Sequence, residues 1–261
     1  MQGNSSIGSE PGARLPELRA DWAFFLDVDG TLLDYAPTPH SVRVDERTRA
    51  LLERVQRFSD GALALISGRS AADLDRLFGP LTTALAGQHG VERRDAAGAW
   101  HRHDLPEDGV RAASKRLAAL AANHLGLVFE DKGLNLAMHY RLAPSLGGEV
   151  ERVIRGLAQG LGPQFEVQGG KMIWEIKPSG RDKGKSVLEF MREPPFAGRT
   201  ALFVGDDVTD ESAFEAVNRL GGASVKVGPG ESAARFRLAD AEGVRGWLES
   251  WVDWMAARGG R

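Results

Sequence analysis

A chain of 261 residues is long enough for one large core or for a core that carries a smaller inserted domain. Its 33 Lys and Arg against 36 Asp and Glu leave a formal charge of −3 with no long run of either sign, which excludes the basic stripe of a nucleic-acid binder or a membrane-surface protein. Cysteine is absent, so neither disulfides nor thiolate metal sites are available, and no apolar stretch reaches the length of a spanning helix.

The opening MQGNSSIGSEPGARLPELRA lacks the apolar centre of a signal peptide and reads as a flexible leader over residues 1–20. The chain as a whole reads as a cytoplasmic monomer. AFFLDV then reads as a strand buried on both faces, and DERTRALLERVQRFS as a helix with Leu51, Leu52, Val55 and Phe58 on one side. ALALIS is a second buried strand, and AADLDRLF a short helix with Ser70 as its N-cap. Strand, helix, strand, helix at this spacing predicts a parallel α/β sheet with right-handed crossovers.

Near Trp100 the rhythm changes. GVRAASKRLAALAANH and GGEVERVIRGLAQ read as helices, each followed by a strand pair: LGLVFEDKGLNLAMHYR turning at Lys132-Gly133, and QFEVQGGKMIWEI turning at Gly169-Gly170. This is an α+β unit over residues 104–174, inserted between core segments 21–103 and 175–261. The α/β pattern resumes with a helix in DKGKSVLEFMRE, the strand TALFVG, a helix from DESAFEAVNRL, the strand ASVKVG and a closing helix from about Glu242. Trp247, Trp251 and Trp254 fall with Val244, Leu248 and Met255 on one stripe of that last helix, the pattern of a helix packed on a sheet.

In such a sheet, ligands bind beyond the carboxyl ends of the strands. There the sequence puts Asp27-Val28-Asp29-Gly30-Thr31, Ser67-Gly68-Arg69 and Gly205-Asp206-Asp207, with Asp210 shortly after and Lys183 opening the helix that follows the insert. Bare like charges cannot share one edge, so a cation is required. Donors made only of oxygen favour Mg²⁺. Ser67 and Lys183 suit phosphate, an aspartate beside Mg²⁺ can attack phosphorus, and Asp29 is placed to give up and take a proton.

DVDGT, ISGRS, DKGKS and GDDVTD, in this order, resemble the four motifs of the haloacid dehalogenase superfamily of phosphohydrolases. With LAGQHGVERR, LAMHYR, WEIKPSGRDKG and SVKVG, the chain is closely similar to the trehalose-6-phosphate phosphatases from Trp22 to Arg245. The resemblance implies a Rossmann-like parallel-sheet core with an inserted α+β cap domain of the C2 type. It implies Mg²⁺-dependent hydrolysis of trehalose 6-phosphate, with Asp27 as nucleophile and metal ligand, Asp29 as general acid and base lending its carbonyl to the metal, and Asp206 as the third ligand. Ser67, Gly68, Arg69 and Lys183 then hold the phosphate, and Asp207 and Asp210 hold metal waters or orient the lysine.

Gln88 departs from the acid expected at its position in many relatives. The sugar contacts are expected in the insert, at Glu130, Lys132, Lys171 and Glu175, with His139 and Arg141 beside them and His89 from the core. For the two histidines the residues alone allow a satisfied core imidazole, and the resemblance favours a functional one. Cross-strand ion pairing on a solvated sheet is the competing reading of the charged set. Two other functions compete: a related phosphatase for another sugar phosphate, and a phospho-acceptor protein without turnover, which would lack an acid equivalent to Asp29.

Overall fold

The computed structural model describes residues 15–35, 42–79, 81, 84–102, 105–170 and 172–259. Most of the expected leader, His40, His103 and Lys171 lie outside them. In chain order the elements are β1 (Trp22–Leu26), α1 (Glu46–Phe58), β2 (Leu63–Ile66), α2 (Ala71–Phe78), β3 (Ala84–Gly87), β4 (Glu92–Arg94), β5 (Trp100–Arg102), α3 (Glu107–Asn123), β6 (Val128–Asp131), β7 (Leu136–His139), α4 (Gly147–Leu161), β8 (Phe165–Gly170), β9 (Ile173–Pro178), α5 (Lys183–Phe190), β10 (Thr200–Gly205), α6 (Glu211–Arg219), β11 (Ala223–Val227), β12 (Phe236–Leu238) and α7 (Ala241–Gly259). They fall into two compact units, Met1–Leu65 with Val187–Arg261, and Ile66–Ser186.

The first unit is the parallel α/β layer expected from the apolar runs. Its strands lie in the order β12-β11-β10-β1-β2, every neighbouring pair parallel. Every residue of β1 is buried, because helices cover such a sheet on both faces. Asp45 caps α1 by accepting the Thr48 amide at 2.7 Å, satisfying one of the orphan donors of the first turn. Trp247 and Trp251 are buried on α7, with Trp251 edge-on to Phe24 at 4.6 Å and its indole N–H donated to the Arg19 carbonyl. Two of the three tryptophans of the stripe are therefore core, while Trp254 is only partly buried, with the Arg258 guanidinium over its ring. On the other side of β1, Phe25 stacks on Phe196 at 5.3 Å and both contact Phe190.

The second unit holds two antiparallel sets. β3, β4 and β5 form a meander that the sequence reading did not anticipate, since strands of three or four residues carry too little period-2 signal. α2 packs on β3, with Ser70 as its N-cap as expected. The other set is a four-stranded antiparallel sheet, β6-β7-β9-β8. One face packs on α3 and α4 around Leu117, Met138, Val150, Ile154 and Ile176.

One turn falls later than expected. Gly169 and Gly170 are not the turn but the last residues of β8, paired with Trp174 and Ile173. A Cβ on Gly169 would lie 2.7 Å from the Trp174 ring. The glycine is there to let an indole lie across the neighbouring strand, and the chain reverses after it, where Met172 has φ 66°. Among the described residues no helix is long and apolar enough to cross a membrane.

Truncating Trp251 to Ala removes the largest fully buried side chain of the first unit and leaves the Arg19 carbonyl without its donor. The expected loss is about 3–5 kcal/mol, read as a lower urea midpoint at unchanged m-value.

Candidate active site

The register of β1 on β10 aligns Leu26 with Val204, so the chain leaves both strands side by side. The Asp27 amide still donates to Val204 O at 3.0 Å. Asp27 and Asp206 therefore come together at the carboxyl edge, and Asp210 joins them: one carboxylate oxygen of each lies within 4.8 Å of the others. Asp27 and Asp210 are buried and Asp206 is partly so.

Each polar atom of Asp206 has an assigned partner. Its amide, and that of Asp207, donate to Asp210 Oδ2 at 2.9 Å, and its carbonyl accepts from the buried Lys226 ammonium. Its carboxylate accepts from Thr31 Oγ1 at 3.1 Å and from the Tyr35 hydroxyl at 2.7 Å. Thr31 Oγ1 also lies 3.3 Å from Asp27 Oδ2. One hydroxyl has one proton to share between two carboxylates, so the pair keeps an excess of negative charge. Although the Tyr35 ring is largely exposed, desolvation around its hydroxyl and the Asp206 carboxylate that accepts from it hold the phenol far above its ordinary value, so it remains a donor.

Asp210 spends an oxygen on two backbone amides and completes a capping box with Asp207, which caps the short helical turn before α6. It shapes the loop that presents Asp206. Together the Asp27, Asp206 and Asp210 carboxylates form a largely buried all-oxygen cluster of the kind that fits a hard divalent cation.

The turn after Asp27 is tight. Leu32 and Leu33 amides donate to Val28 O, the Gly30 amide donates to Leu33 O at 2.7 Å, and Arg245 from α7 donates to Leu32 O at 2.8 Å. Gly30 has φ 79°, and a Cβ there would meet Asp206 Oδ2 at 2.3 Å. Asp29, partly buried, sits at the start of this turn.

In the second unit, Ser67 and Lys183 are both buried. Ser67 Oγ accepts the Arg69 amide at 3.2 Å, turning Gly68 and Arg69 into a tight loop ahead of α2. Lys183 opens α5, whereas Lys185 is exposed and bonded to Gly180 O. His89 has φ 58°, and its ring would lie 2.9 Å from a Cβ on Gly68. Burial, then the positive charges of Lys183, Lys132 and Lys177, push the imidazole down to about 3. His89 is thus neutral at any working pH, beside three lysines whose combined field favours an anion.

The charged set of the insert also converges. Glu130 and Glu175 both pair with Ala137, placing them on the face of the four-stranded sheet opposite α3 and α4. Lys132 Nζ lies 3.2 Å from Glu175 and 3.6 Å from Glu130, and His139 Nε2 lies 3.1 Å from Glu130. The His139 bond, ahead of Lys132, holds Glu130 below its usual range despite burial. Burial would lower Lys132, but Glu175 and Glu130 outweigh it and raise it. Arg141 is exposed beyond β7. The competing picture, cross-strand ion pairing, describes how these side chains rest; half-buried charges in a connected row can equally accept hydroxyls.

Thr31, Tyr35 and Lys226 were not singled out as functional in the sequence. Lys226 carried a signal, a lone cation inside a buried strand that is otherwise uncharged; Tyr35 carried none, because only the fold brings it to Asp206.

Comparison with known structures places the fold. A haloacid dehalogenase-like hydrolase from Bacteroides thetaiotaomicron aligns with TM-score 0.62 at 18% identity over 87% of this chain and 98% of that one. The trehalose-6-phosphate phosphatase C-terminal domain of C. albicans aligns with TM-score 0.73 at 23% identity, covering 90% and 93%. A parallel sheet with carboxylates at the ends of two neighbouring strands, on this topology, is the fold of the haloacid dehalogenase-like structures. A family model described as Trehalose-phosphatase matches residues 25–242. The trehalose-6-phosphate phosphatase of Escherichia coli (strain K12) is 46% identical over 241 residues, 92% of this chain and 90% of that protein. The probable trehalose-phosphate phosphatase of Sinorhizobium fredii is 44% identical over 228 residues, 87% and 86%. The chain belongs to the trehalose-phosphatase family and is a phosphatase.

Gly30→Ala tests the acidic site. Positive φ alone costs about 1–2 kcal/mol in a residue with a Cβ, but the contact with Asp206 forces a carboxylate to move. A displacement of about 1 Å costs on the order of a hundredfold in rate. We expect that loss in phosphatase activity together with a weaker divalent-cation-induced rise in Tm, while far-UV circular dichroism stays unchanged.

Proposed function

We propose that this enzyme hydrolyses trehalose 6-phosphate to trehalose and inorganic phosphate, with Mg²⁺ as its cation. The observation that carries the reading is the pair of carboxylates, Asp27 and Asp206, brought together by adjacent parallel strands in a chain of this family. Mg²⁺ would be held by Asp27, Asp206 and the Asp29 carbonyl. When bound, it supplies positive charge that lets a carboxylate approach a phosphate dianion.

The side chains divide the work. Ser67 and Lys183, with the Gly68 and Arg69 segment, hold the phosphate oxygens. The Asp27 carboxylate attacks phosphorus, and the bond to the sugar O6 breaks as that oxygen takes the proton of Asp29. The Asp29 carboxylate then takes a proton from water, whose oxygen attacks the aspartyl phosphate, releasing phosphate and restoring Asp27. His89, kept neutral, offers the substrate a hydrogen-bonding ring without adding charge. The insert, residues 104–174, would read the sugar through Glu130 and Lys132, with Lys171, His139 and Arg141 alongside and Glu175 from the strand that leads out of it. A disaccharide covered in hydroxyls suits alternating acids and bases that accept and donate in pairs.

Asp27→Asn should abolish turnover with the fold intact. Asp29→Asn should leave phosphate binding nearly unchanged and lower kcat by about a hundred- to ten-thousand-fold, the usual worth of general acid–base assistance. Phosphate release from a panel of sugar phosphates, with and without Mg²⁺, measures both, and equal low rates on every sugar would remove the trehalose assignment.

The sugar contacts have their own test. Glu130→Ala removes one partner of a hydroxyl-binding row, so kcat/KM for trehalose 6-phosphate should fall by roughly a hundredfold or more. p-Nitrophenyl phosphate, which has no sugar, should be hydrolysed within about twofold of the wild-type rate; a loose ion pair would have moved neither substrate by more than about 1 kcal/mol.

A further inference from the structure

Gln88 lies in the turn between β3 and β4, buried, with φ 48°. Its side-chain Oε1 accepts the Leu134 amide at 3.0 Å and the Asn135 amide at 3.1 Å. Its Nε2 donates to Glu92 Oε1 at 3.2 Å, and that same oxygen accepts the Ala71 amide at the start of α2 at 2.7 Å. The two ends cannot be exchanged: the amides require an acceptor and the carboxylate requires a donor. On its backbone, Gln88 N–H donates to Arg69 O at 2.8 Å and His89 N–H to Ser67 O at 3.0 Å. Residues 67–69 and 88–89 are therefore zipped together.

The other end of this link is the β6–β7 turn. Lys132 N–H donates to Asn135 O at 2.9 Å and Gly133 N–H to Asp131 Oδ1 at 2.8 Å, so residues 131–135 form one closed tip. Gly133 has φ 88°, and a Cβ there would lie 3.3 Å from Gln88 Nε2. The tip rests directly on the glutamine. It carries Lys132, and through Lys132 the ion pairs to Glu130 and Glu175.

We propose that Gln88 is a positioning residue for the sugar half of the substrate: its amide fastens the hairpin bearing Glu130 and Lys132 to the loop bearing Ser67 and His89. This rests on the substrate reading above. The link sets the distance between the groups that hold the sugar and those that hold the phosphate without touching either part of the substrate. An acid of the same length would keep both amide acceptors but face Glu92 with a like charge, so the position requires the amide.

The experiment combines amide exchange with kinetics. In Gln88→Ala, the Leu134 and Asn135 amides lose their acceptor and should exchange roughly tenfold faster, while those of β1 keep their protection. KM for trehalose 6-phosphate should rise about tenfold with kcat nearly unchanged, and kcat/KM for p-nitrophenyl phosphate should stay within about twofold. Gln88→Glu is the conservative variant, and serves if the alanine variant folds poorly. A like charge so close to Glu92 is unfavourable, so as the pH falls the carboxyl of this variant gains the proton with which it can still donate. Its kcat/KM for trehalose 6-phosphate, relative to wild type at the same pH, should fall from near unity at about pH 5 towards the alanine value at about pH 8. Unchanged exchange at both amides, an equal loss on both substrates, or a Gln88→Glu ratio that does not vary with pH would each overturn the proposal. A wild type that cleaves p-nitrophenyl phosphate but not trehalose 6-phosphate overturns the substrate reading instead, and the two amides still decide whether the link exists.

Discussion

The constraint on which the catalytic unit depends is the convergence of carboxylates forced by parallel strand pairing. Once β1 and β10 lie in register, Asp27 and Asp206 have nowhere else to go. Placing like charges together away from water is unfavourable by several kcal/mol per ion unless each is held and a cation arrives. Much of the local structure follows from that cost. Gly30 clears space for the Asp206 carboxylate, Thr31 shares its proton between the two acids, Lys226 anchors the Asp206 carbonyl, and Asp210 is given over to the backbone. Most of these are rigid groups on strands or their immediate ends, which suits a site that must exist before its ligand does.

The inserted sheet solves a different problem. One of its faces packs on two helices and is apolar, as an amphipathic strand requires, while the other carries acids and bases in a connected row. Nothing in folding requires that row to be charged, since alternation alone would be satisfied by any polar residues. Partial burial makes it costly to leave those groups unpaired, so they pair with one another when no hydroxyl is present. Under the proposed function, that pre-paired row would exchange its internal partners for sugar hydroxyls with little net loss.

The apolar runs and their spacing determined four of the parallel strands of the first unit, β1, β2, β10 and β11, to within a residue or two, together with the Ser70 cap of α2 and most of the buried face of α7. That is because burial on both faces and capping are local demands written in adjacent residues. The motif order DVDGT, ISGRS, DKGKS, GDDVTD determined the class of chemistry. Three local features escaped: β3 to β5 and the edge strand β12, all too short to show a period, and the true place of Gly169, which serves the Trp174 ring across the sheet rather than a turn.

What only the tertiary structure decided are the partnerships between residues far apart in the chain. Tyr35 and Asp206 are separated by 171 positions, and Gln88 and Asn135 by 47. In sequence, Gln88 was merely a departure from an expected acid; in the fold it is an amide whose two ends face two amides and a carboxylate. Likewise the sequence left Asp210 to hold metal waters, to orient the lysine or to serve as a first-turn acid, and only the fold shows one of its oxygens accepting two backbone N–H groups. Residue type and periodicity prescribe what a side chain can do, but a hydrogen bond is a matter of distance and angle, and those exist only once the chain has closed on itself.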